Sequence, residues 1–285
     1  MSDKVFIIIV FYNPSAEDIA AASHLAERWQ GAIIDNSPQP CFDGDRCGGM
    51  IYRFNNENLG IAAAQNIGIE EALKTDGVEM IVFLDQDSRV PVEYPALIVE
   101  EFNIVCRDIP NLAMLGPTVI NADTQEVYRS AFHSDDNVAP HFICRREVIS
   151  SGSCISRKAM EQVGMNDARL FIDYVDFEWC WRAKAKGFVC GITPQLTMQH
   201  RVGRNEIKIF NHHVIVSSPM RYRFTYRNYL WLLRRRYVPR QWKIATGVKF
   251  VLRFLYLPFV ADNGFAIWKN MCRGIREGLK QKKNE

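Results

Sequence analysis

Two aspartates separated by one residue, Asp85 and Asp87, follow an apolar run at residues 81–84. Such a run is typical of a buried strand, and residues i and i+2 of an extended chain project to the same side. Two carboxylates held this close repel each other unless a hard cation lies beside them. The pair therefore predicts a Mg²⁺ or Mn²⁺ site that carries a diphosphate, although the pattern alone also fits a solvated turn.

Alternating strands and helices surround this pair. The pattern predicts strands over 4–11, 32–34, 50–54 and 79–84, a helix from the N-cap Ser15 to about residue 29, and a helix over 61–74. Three of these strands end in loops that carry Asn or Asp, and the carboxyl ends of strands are where open α/β sheets bind ligands. We therefore interpret residues 1–100 as a nucleotide-binding half.

The rest of the chain continues this alternation before its composition changes. We predict helices over 93–106, 158–163 and 170–186, and strands near 112–115, within 140–156, and over 188–192 and 195–199. The helix at 170–186 begins with three acids, Asp173, Asp176 and Glu178. From residue 217 the pattern is helical and basic, so residues 1–216 and 217–285 are predicted to form separate regions.

The net charge of +3 hides a strong asymmetry between these regions. Residues 221–285 contain 16 Lys or Arg and 3 Asp or Glu, whereas residues 1–220 contain 19 and 29. Basic residues interleaved with aromatic ones predict helices that lie in a membrane interface and attract anionic lipids, or else helices that pack on the catalytic core. The long apolar stretch at 244–261 is interrupted by Lys249, Arg253 and Pro258, so it does not predict a membrane-spanning helix.

The cysteines and the N-terminus give a prediction of location. Eight Cys occur without a C-x-x-C pair or a regular spacing, which argues against a zinc ribbon and against a disulfide scaffold. Reduced thiols and a short first apolar run without signal-peptide flanks predict a cytoplasmic protein, peripheral at the inner face of the cell membrane.

Four motifs, in this order, resemble the inverting family 2 glycosyltransferases of the GT-A fold. They are Asp35-Asn36-Ser37, Asn58-x-Gly60 with Asn66, Asp85-Gln86-Asp87, and Asp176-x-Glu178-Trp179-Cys180-x-Arg182. The segments FLDQDS, LFIDYVDFEWCWRA and RYRFTYRNYLWLLRRR most resemble the bacterial dTDP-rhamnosyltransferases of O-antigen or capsular polysaccharide synthesis, and the resemblance covers about residues 4–236. It implies an α/β GT-A catalytic domain at 1–216, with an acceptor-binding half at 101–216, and a basic helical extension at 217–285.

The resemblance also implies roles for individual residues. The donor would be dTDP-β-L-rhamnose and the acceptor a saccharide or lipid-linked saccharide, with no nucleic acid involved and homo-oligomers left open. Asp87 and Asp85 would hold the divalent cation (Mg²⁺ or Mn²⁺), with His200 as a third ligand, and Asp176 would be the general base. Further nucleotide or substrate contacts would be Tyr12, Asn13, Asp35, Asn36, Asn58, Gly60, Asn66, Gln86, Trp179 and Arg182.

Several alternatives stay open at this point. Asp173 or Glu178 could be the base instead, because acids at a helix start are also favoured by the helix dipole. Trp179 and Trp181 fit core packing as well as stacking on a sugar. The donor could be a UDP-hexose, or the chain could be a catalytically silent scaffold. A sugar nucleotidyltransferase is disfavoured because no Gly-rich loop follows the first strand, and the absence of Gln-x-x-Arg-Trp favours addition of a single sugar.

Overall fold

The computed structural model of the protein describes residues 2–121, 138–200, 206–209 and 212–280. The chain forms two compact units. The first comprises Met1–Phe171 and Val175–His200, and the second comprises Ile172–Tyr174 and Arg201–Glu285. The boundary predicted at residue 216 falls inside the second unit.

The first unit alternates strands and helices along the chain. Its elements are β1 (Val5–Phe11), α1 (Ala16–Ala26), β2 (Gly31–Asp35), β3 (Arg46–Cys47), β4 (Met50–Phe54), α2 (Gly60–Lys74), β5 (Met80–Asp85), α3 (Tyr94–Asp108), β6 (Leu112–Asn121), β7 (Val138–Ala139), β8 (Phe142–Cys144), β9 (Cys154–Ser156), α4 (Arg157–Val163), α5 (Val175–Ala185) and β10 (Val189–His200). All ten strands form one sheet in the order β3-β4-β2-β1-β5-β9-β6-β10-β8-β7.

The parallel part of this sheet brings the predicted site loops to one edge. β4, β2, β1 and β5 are mutually parallel neighbours, and β6 pairs in parallel with β10. β9 lies antiparallel between β5 and β6. Because β1, β2, β4 and β5 run in the same direction, the loops that follow them lie at one edge, as the strand pattern predicted.

Both faces of the central strands are buried, which explains their continuous apolar runs. Odd-numbered residues of β1, such as Ile7 and Ile9, pack in one core cluster that includes side chains of α1 and α3. Even-numbered residues, such as Phe6 and Ile8, pack in a second cluster that includes side chains of α2, α4 and α5. A β-strand alternates its side chains between faces, so one short run supplies two cores.

The predicted start of α1 is confirmed in detail. Ser15 is the N-cap: its hydroxyl accepts a hydrogen bond from the Asp18 N–H at 3.2 Å, and the Asp18 carboxylate accepts one from the Ser15 N–H at 2.8 Å. This reciprocal capping box satisfies two N–H groups that the first helical turn leaves without partners. The helix ends at Ala26, three residues before the predicted end.

Two predicted elements differ in the structure. The helix predicted over 170–186 begins only at Val175, because Phe171, Asp173 and Tyr174 have φ angles of 65°, 67° and 65°, which an α-helix does not accommodate. The two strands predicted over 188–192 and 195–199 form the single strand β10, which has an irregularity in register between Thr193 and Thr197.

The second unit is mainly helical. It contains a two-stranded antiparallel sheet of β11 (Glu206–Ile209) and β12 (His212–Ile215), followed by α6 (Pro219–Leu233), α7 (Arg240–Val260) and α8 (Gly264–Lys280). Several aromatic residues that suggested a membrane interface are buried within the chain: Phe224, Tyr226, Trp242 and Phe250. Among the helices that the structure describes, none has the length and apolar character needed to span a bilayer.

Candidate active site

The loop after β5 holds the acidic pair at the edge of the sheet. Asp85 is half-buried at the end of the strand, and Asp87 is exposed two residues later. Gln86 joins this loop to the one after β1, because its Oε1 accepts a hydrogen bond from the Tyr12 N–H at 2.7 Å. The Asn13 N–H in turn donates to Oγ of Ser37 in the loop after β2, at 2.8 Å. Three predicted site loops are therefore tied together through backbone donors.

Asp35 is fully buried at the end of β2. Its Oδ1 accepts from the Ser37 N–H at 2.8 Å, and its Oδ2 accepts from the Tyr52 hydroxyl at 2.6 Å and the Cys41 N–H at 3.2 Å. Burial raises the pKa of Asp35, but the hydrogen bonds from Ser37 and Tyr52 outweigh it and lower the pKa below its ordinary value. Asp35 is thus an ionised acceptor with hydrogen-bond donors on both of its oxygens.

Asn36 and Asn58 shape the turn into α2. Asn36 is buried, and it donates to the Gly60 carbonyl at 3.3 Å while accepting from the Asn55 amide at 2.8 Å. Asn58 Oδ1 accepts from the Gly60 N–H at 2.9 Å. Gly60 has a φ of +81°, and a Cβ at this position would lie 2.5 Å from the Phe171 carbonyl oxygen, so both its conformation and its surroundings require glycine. These residues hold the helix start in place at the sheet edge.

Asn66 fixes a distant segment rather than facing open solvent. Its amide donates to the Asn166 carbonyl at 2.9 Å, and its Oδ1 accepts from the Asn166 N–H at 2.9 Å. Gln65 completes this network, since its Oε1 accepts from the Asn166 side chain at 2.9 Å. The structure therefore gives Asn66 a positioning role within the first unit.

Asp176 lies in the first turn of α5 and shares its electrostatic environment with the acidic pair. Its Oδ2 accepts from the Ser150 N–H at 3.3 Å, and its Oδ1 accepts from the Phe177 N–H at 2.9 Å. Burial raises its pKa from 3.8 to about 6, the two backbone hydrogen bonds act against this rise, and the negative charge of Asp85 adds to it. A carboxylate with a pKa close to neutral is suited to general-base catalysis.

The two alternative bases have other partners. Asp173 belongs to the second unit, where the Arg221 guanidinium donates to its Oδ1 at 2.6 and 2.9 Å and Thr225 donates to its Oδ2 at 2.7 Å. Glu178 is fully buried and both of its oxygens accept from Arg182, at 3.0 and 3.1 Å. Such contacts occupy both carboxylates as structural acceptors, whereas Asp176 accepts from backbone N–H groups.

Trp179 and Arg182 are structural in this protein, which corrects the expectation that they contact substrate. Trp179 is 1% exposed and its Nε1–H donates to the Gly164 carbonyl at 2.8 Å. Trp181 is buried to the same degree, so neither ring is available to stack on a sugar. Arg182 donates to the Val163 carbonyl at 2.7 Å in addition to its ion pair.

The segment at residues 150–153 contacts both Ser88 in the acidic loop and Asp176, and sequence patterns did not single it out for this role. Ser88 Oγ accepts from the Asp85 N–H at 3.0 Å and lies 3.2 Å from Ser151 Oγ. Ser150 contacts Asp176 through its N–H. No local signal marks these contacts, because they join residues separated by 26 to 63 positions. Tyr52 was missed for the same reason.

The carboxylates of Asp85 and Asp87 are the candidate ligands for a cation. Among the residues that the structure covers, no group of three or more His, Cys, Asp or Glu could hold a metal ion. The side chain of His200, the predicted third ligand, lies outside the described residues. Mg²⁺ is commonly bound through one or two carboxylates together with substrate phosphates rather than by an all-protein cage. Asp85 and Asp87 fit a cation of that kind.

The fold is shared with solved glycosyltransferase structures. TarS of S. aureus has a TM-score of 0.54 at 12% identity, covering 92% of this chain and 45% of TarS. GalNAc-T7, solved with UDP, GalNAc and Mn²⁺, has a TM-score of 0.53 at 15% identity, covering 98% of this chain and 56% of GalNAc-T7. The chain thus spans about half the length of these two proteins. TarS 1-349 with UDP-GlcNAc has a TM-score of 0.55 at 11% identity, covering 97% and 81%.

Sequence similarity is more specific than the shared fold. No family model matches the chain. Over 256 residues it is 33% identical to the dTDP-rhamnosyl transferase RfbF of Shigella flexneri, and the alignment covers 84% of this chain and 83% of RfbF. Identity at this level across most of both chains shows common descent, so the protein belongs to the rhamnosyltransferase family of RfbF and is a glycosyltransferase of the GT-A fold.

Proposed function

We propose that the enzyme transfers L-rhamnose from dTDP-β-L-rhamnose, with inversion, to a hydroxyl of a lipid-linked or oligosaccharide acceptor in surface polysaccharide synthesis. The observation that carries this proposal is Asp176, a carboxylate with a pKa of about 6 in the electrostatic field of Asp85. The similarity to RfbF supports the choice of donor. A single displacement at a sugar carbon requires a base that takes the proton of the incoming hydroxyl and a site that holds the leaving diphosphate.

The proposed cation site is formed by Asp87 and Asp85, with His200 as the third ligand implied by the family. A bound Mg²⁺ or Mn²⁺ would act as a Lewis acid that offsets the charge of the leaving diphosphate. The half-buried Asp85 and the exposed Asp87 would leave most coordination positions to phosphate oxygens and water. Gln86 supports this arrangement because it holds the acidic loop against the Tyr12 backbone.

Asp176 is proposed to take the proton of the acceptor hydroxyl. The hydroxyl oxygen forms a bond to the anomeric carbon, the bond from that carbon to the donor phosphate breaks, and the hydroxyl proton moves to an Asp176 oxygen. Each Asp176 oxygen accepts one backbone hydrogen bond, from Ser150 or Phe177, and has a further lone pair for this proton. Since attack and departure occur on opposite faces, the configuration inverts.

Asp35 is proposed to recognise the base of the nucleotide. Its ionised carboxylate lies at the end of β2 and would accept the N–H of a thymine or uracil ring in place of one of its present donors. The Tyr12 side chain, 50% exposed at the end of β1, is proposed to contact the same base. The loops that carry Asn13, Asn36, Asn58 and Gly60 would complete this pocket.

A donor panel with and without cation tests the proposal. Purified enzyme would be supplied with dTDP-rhamnose, UDP-glucose and UDP-N-acetylglucosamine, with Mg²⁺, Mn²⁺ or chelator, and release of nucleoside diphosphate would be measured. We expect cation-dependent release from dTDP-rhamnose, reduced at least about 100-fold in Asp176→Asn and in Asp87→Asn.

The matched control is Asp76→Asn, an exposed aspartate outside the site, which should retain activity. Preference for a UDP-hexose would overturn the donor assignment. Full activity of Asp176→Asn would overturn the base assignment, and undiminished turnover under chelation would overturn metal dependence.

A further inference from the structure

One face of α7 is apolar and exposed over four helical turns. Its members are each between 55% and 87% exposed: Ile244, Val248, Val251, Leu252, Leu255 and Phe259. We call these six residues the α7 stripe. Isolated exposed apolar residues are ordinary on a protein surface, but a contiguous set on one helix face indicates a surface that meets something other than water.

The α7 stripe lies on the side of the helix that faces away from the core of the second unit. At about 100° per residue the stripe occupies an arc of about 100° and extends for about 22 Å. The opposite side of the helix carries the buried residues Trp242, Thr246, Phe250 and Leu257. An open groove of about 500 Å³ extends the apolar surface toward α6, where Tyr229 and Leu233 line it. The stripe is therefore not the remainder of a poorly packed core.

Basic residues border the stripe. α7 contains four Lys or Arg and no acid. From the helical period, Arg240 lies about 20° outside one edge of the stripe and Lys249 about 60° outside the other. Arg234 and Arg236, in the turn before α7, are also exposed. An apolar face between exposed cations complements a surface that has an apolar interior and anionic groups at its boundary.

A lipid bilayer fits this pattern better than a second copy of the chain. If two copies packed stripe to stripe, the bordering cations Arg240 and Lys249 of each copy would lie at the edges of the contact, whether the helices ran parallel or antiparallel. Because α7 carries no acid to pair with them, like charges would meet at either interface. Anionic lipid headgroups supply the missing charge, and long basic side chains can reach them while their stems cover apolar surface.

We propose that the α7 stripe inserts into the interface of an anionic lipid bilayer, with α7 lying in the plane of the membrane. This inference rests on the proposed function, because a lipid-linked acceptor would be presented at a membrane surface. It differs from the interface predicted from the sequence, because the aromatic side chains Tyr226 and Phe250 lie in the core, and the contact is made by five aliphatic residues and Phe259 instead.

Vesicle sedimentation of the full chain tests this proposal. Wild-type protein would be mixed with phosphatidylcholine vesicles with and without phosphatidylglycerol, over a series of salt concentrations. We expect binding to the anionic vesicles that weakens as salt rises, and a fall of about tenfold or more in Leu255→Glu. The matched control is Leu279→Glu: Leu279 lies on α8 and is 62% exposed, compared with 61% for Leu255, and it should leave binding nearly unchanged.

Three further results separate the outcomes. Unaltered thermal unfolding of Leu255→Glu would show that lost binding is not lost folding. Failure of the wild type to bind anionic vesicles at low salt, or equal loss in both variants, would overturn the inference. A concentration-dependent dimer that Leu255→Glu dissociates, seen by analytical ultracentrifugation without vesicle binding, would assign the stripe to a second copy. Donor turnover in vesicle-free buffer tests the proposed function independently of all of these.

Discussion

Replacing Asp176 with asparagine should stabilise the protein while it abolishes turnover. The folded state raises the pKa of this carboxyl from 3.8 to about 6, mainly through burial, so the ionised form is less favourable in the folded protein than in the unfolded chain. Asparagine has nearly the same shape and no charge. It can still accept a backbone hydrogen bond through its oxygen, whereas it cannot take a proton from the acceptor.

The magnitude follows from the size of the pKa change. At about 1.4 kcal/mol per pH unit, an ionised Asp176 costs at most about 3 kcal/mol of folding free energy. Because the side chain is only partly buried, solvent reduces this cost, and one hydrogen bond is weakened in the variant. We therefore expect a gain of about 1–2 kcal/mol, or an increase of about 2–6 °C in the unfolding midpoint.

The gain should depend on pH with a definite sign. Since the folded pKa is above the unfolded one, the contribution of Asp176 to stability is fully present below about pH 3.8 and is lost as pH rises to about 6. The advantage of Asp176→Asn should therefore be about one third as large at pH 4.5 as at pH 8, where it is complete. Differential scanning calorimetry at both values measures it, and wild-type turnover should decline as pH falls through about 6.

Asp173→Asn is the matched control, with the opposite expected sign. It removes the charge that Arg221 contacts at 2.6 Å, so it should lower stability by about 1 kcal/mol. The reasoning would be refuted if Asp176→Asn were no more stable than the wild type at pH 8, if its advantage were equal at pH 4.5, or if it retained turnover. Stabilisation by both variants would indicate a general effect of charge removal instead.

Two further substitutions test residues that hold the loops of the candidate site in place. Gly60→Ala should destabilise the protein by about 2–4 kcal/mol and weaken donor binding, because the new Cβ would meet the Phe171 carbonyl. The control is Gly187→Ala, which has a similar φ but open surroundings and should cost only about 1 kcal/mol. Chemical denaturation measures the free energy of unfolding of both variants. Tyr52→Phe should cost about 1–2 kcal/mol and raise the donor KM, since it removes a buried donor to Asp35, and binding of free dTDP measured by calorimetry checks the effect.

The elements of the first hundred residues could be predicted closely because their signals are local. Continuous apolar runs, the Ser15 cap and the polar strand ends placed four strands and two helices within a few residues of their observed limits. Parallel connectivity then required the loops to share one edge. The Asp85 and Asp87 pair lies at that edge for the same reason.

The start of α5 could not be predicted because long-range contacts determine it. The acids and aromatics of residues 171–186 fit a helix, yet residues 172–174 are held in the second unit, where the buried Asn228 side chain donates to the Ile172 and Asp173 carbonyls at 2.8 and 3.2 Å. Hydrogen bonds of this kind offset the cost of about 1–3 kcal/mol for each residue with positive φ. Propensity contains no information about a partner more than fifty residues away.

The three acids at 173–178 show why a motif cannot assign a base without its surroundings. Asp173 and Glu178 each lie against a guanidinium, which occupies their oxygens with charge-assisted hydrogen bonds. Asp176, between them, has backbone donors only and the negative charge of Asp85 nearby, so its affinity for a proton is raised. Chemically similar side chains within six residues thus divide into two that are paired with arginine and one, Asp176, that is the proposed proton acceptor. The difference is set by which cations the fold brings to each acid, and an arginine introduced beside Asp176 would be expected to lower its pKa and weaken it as a base.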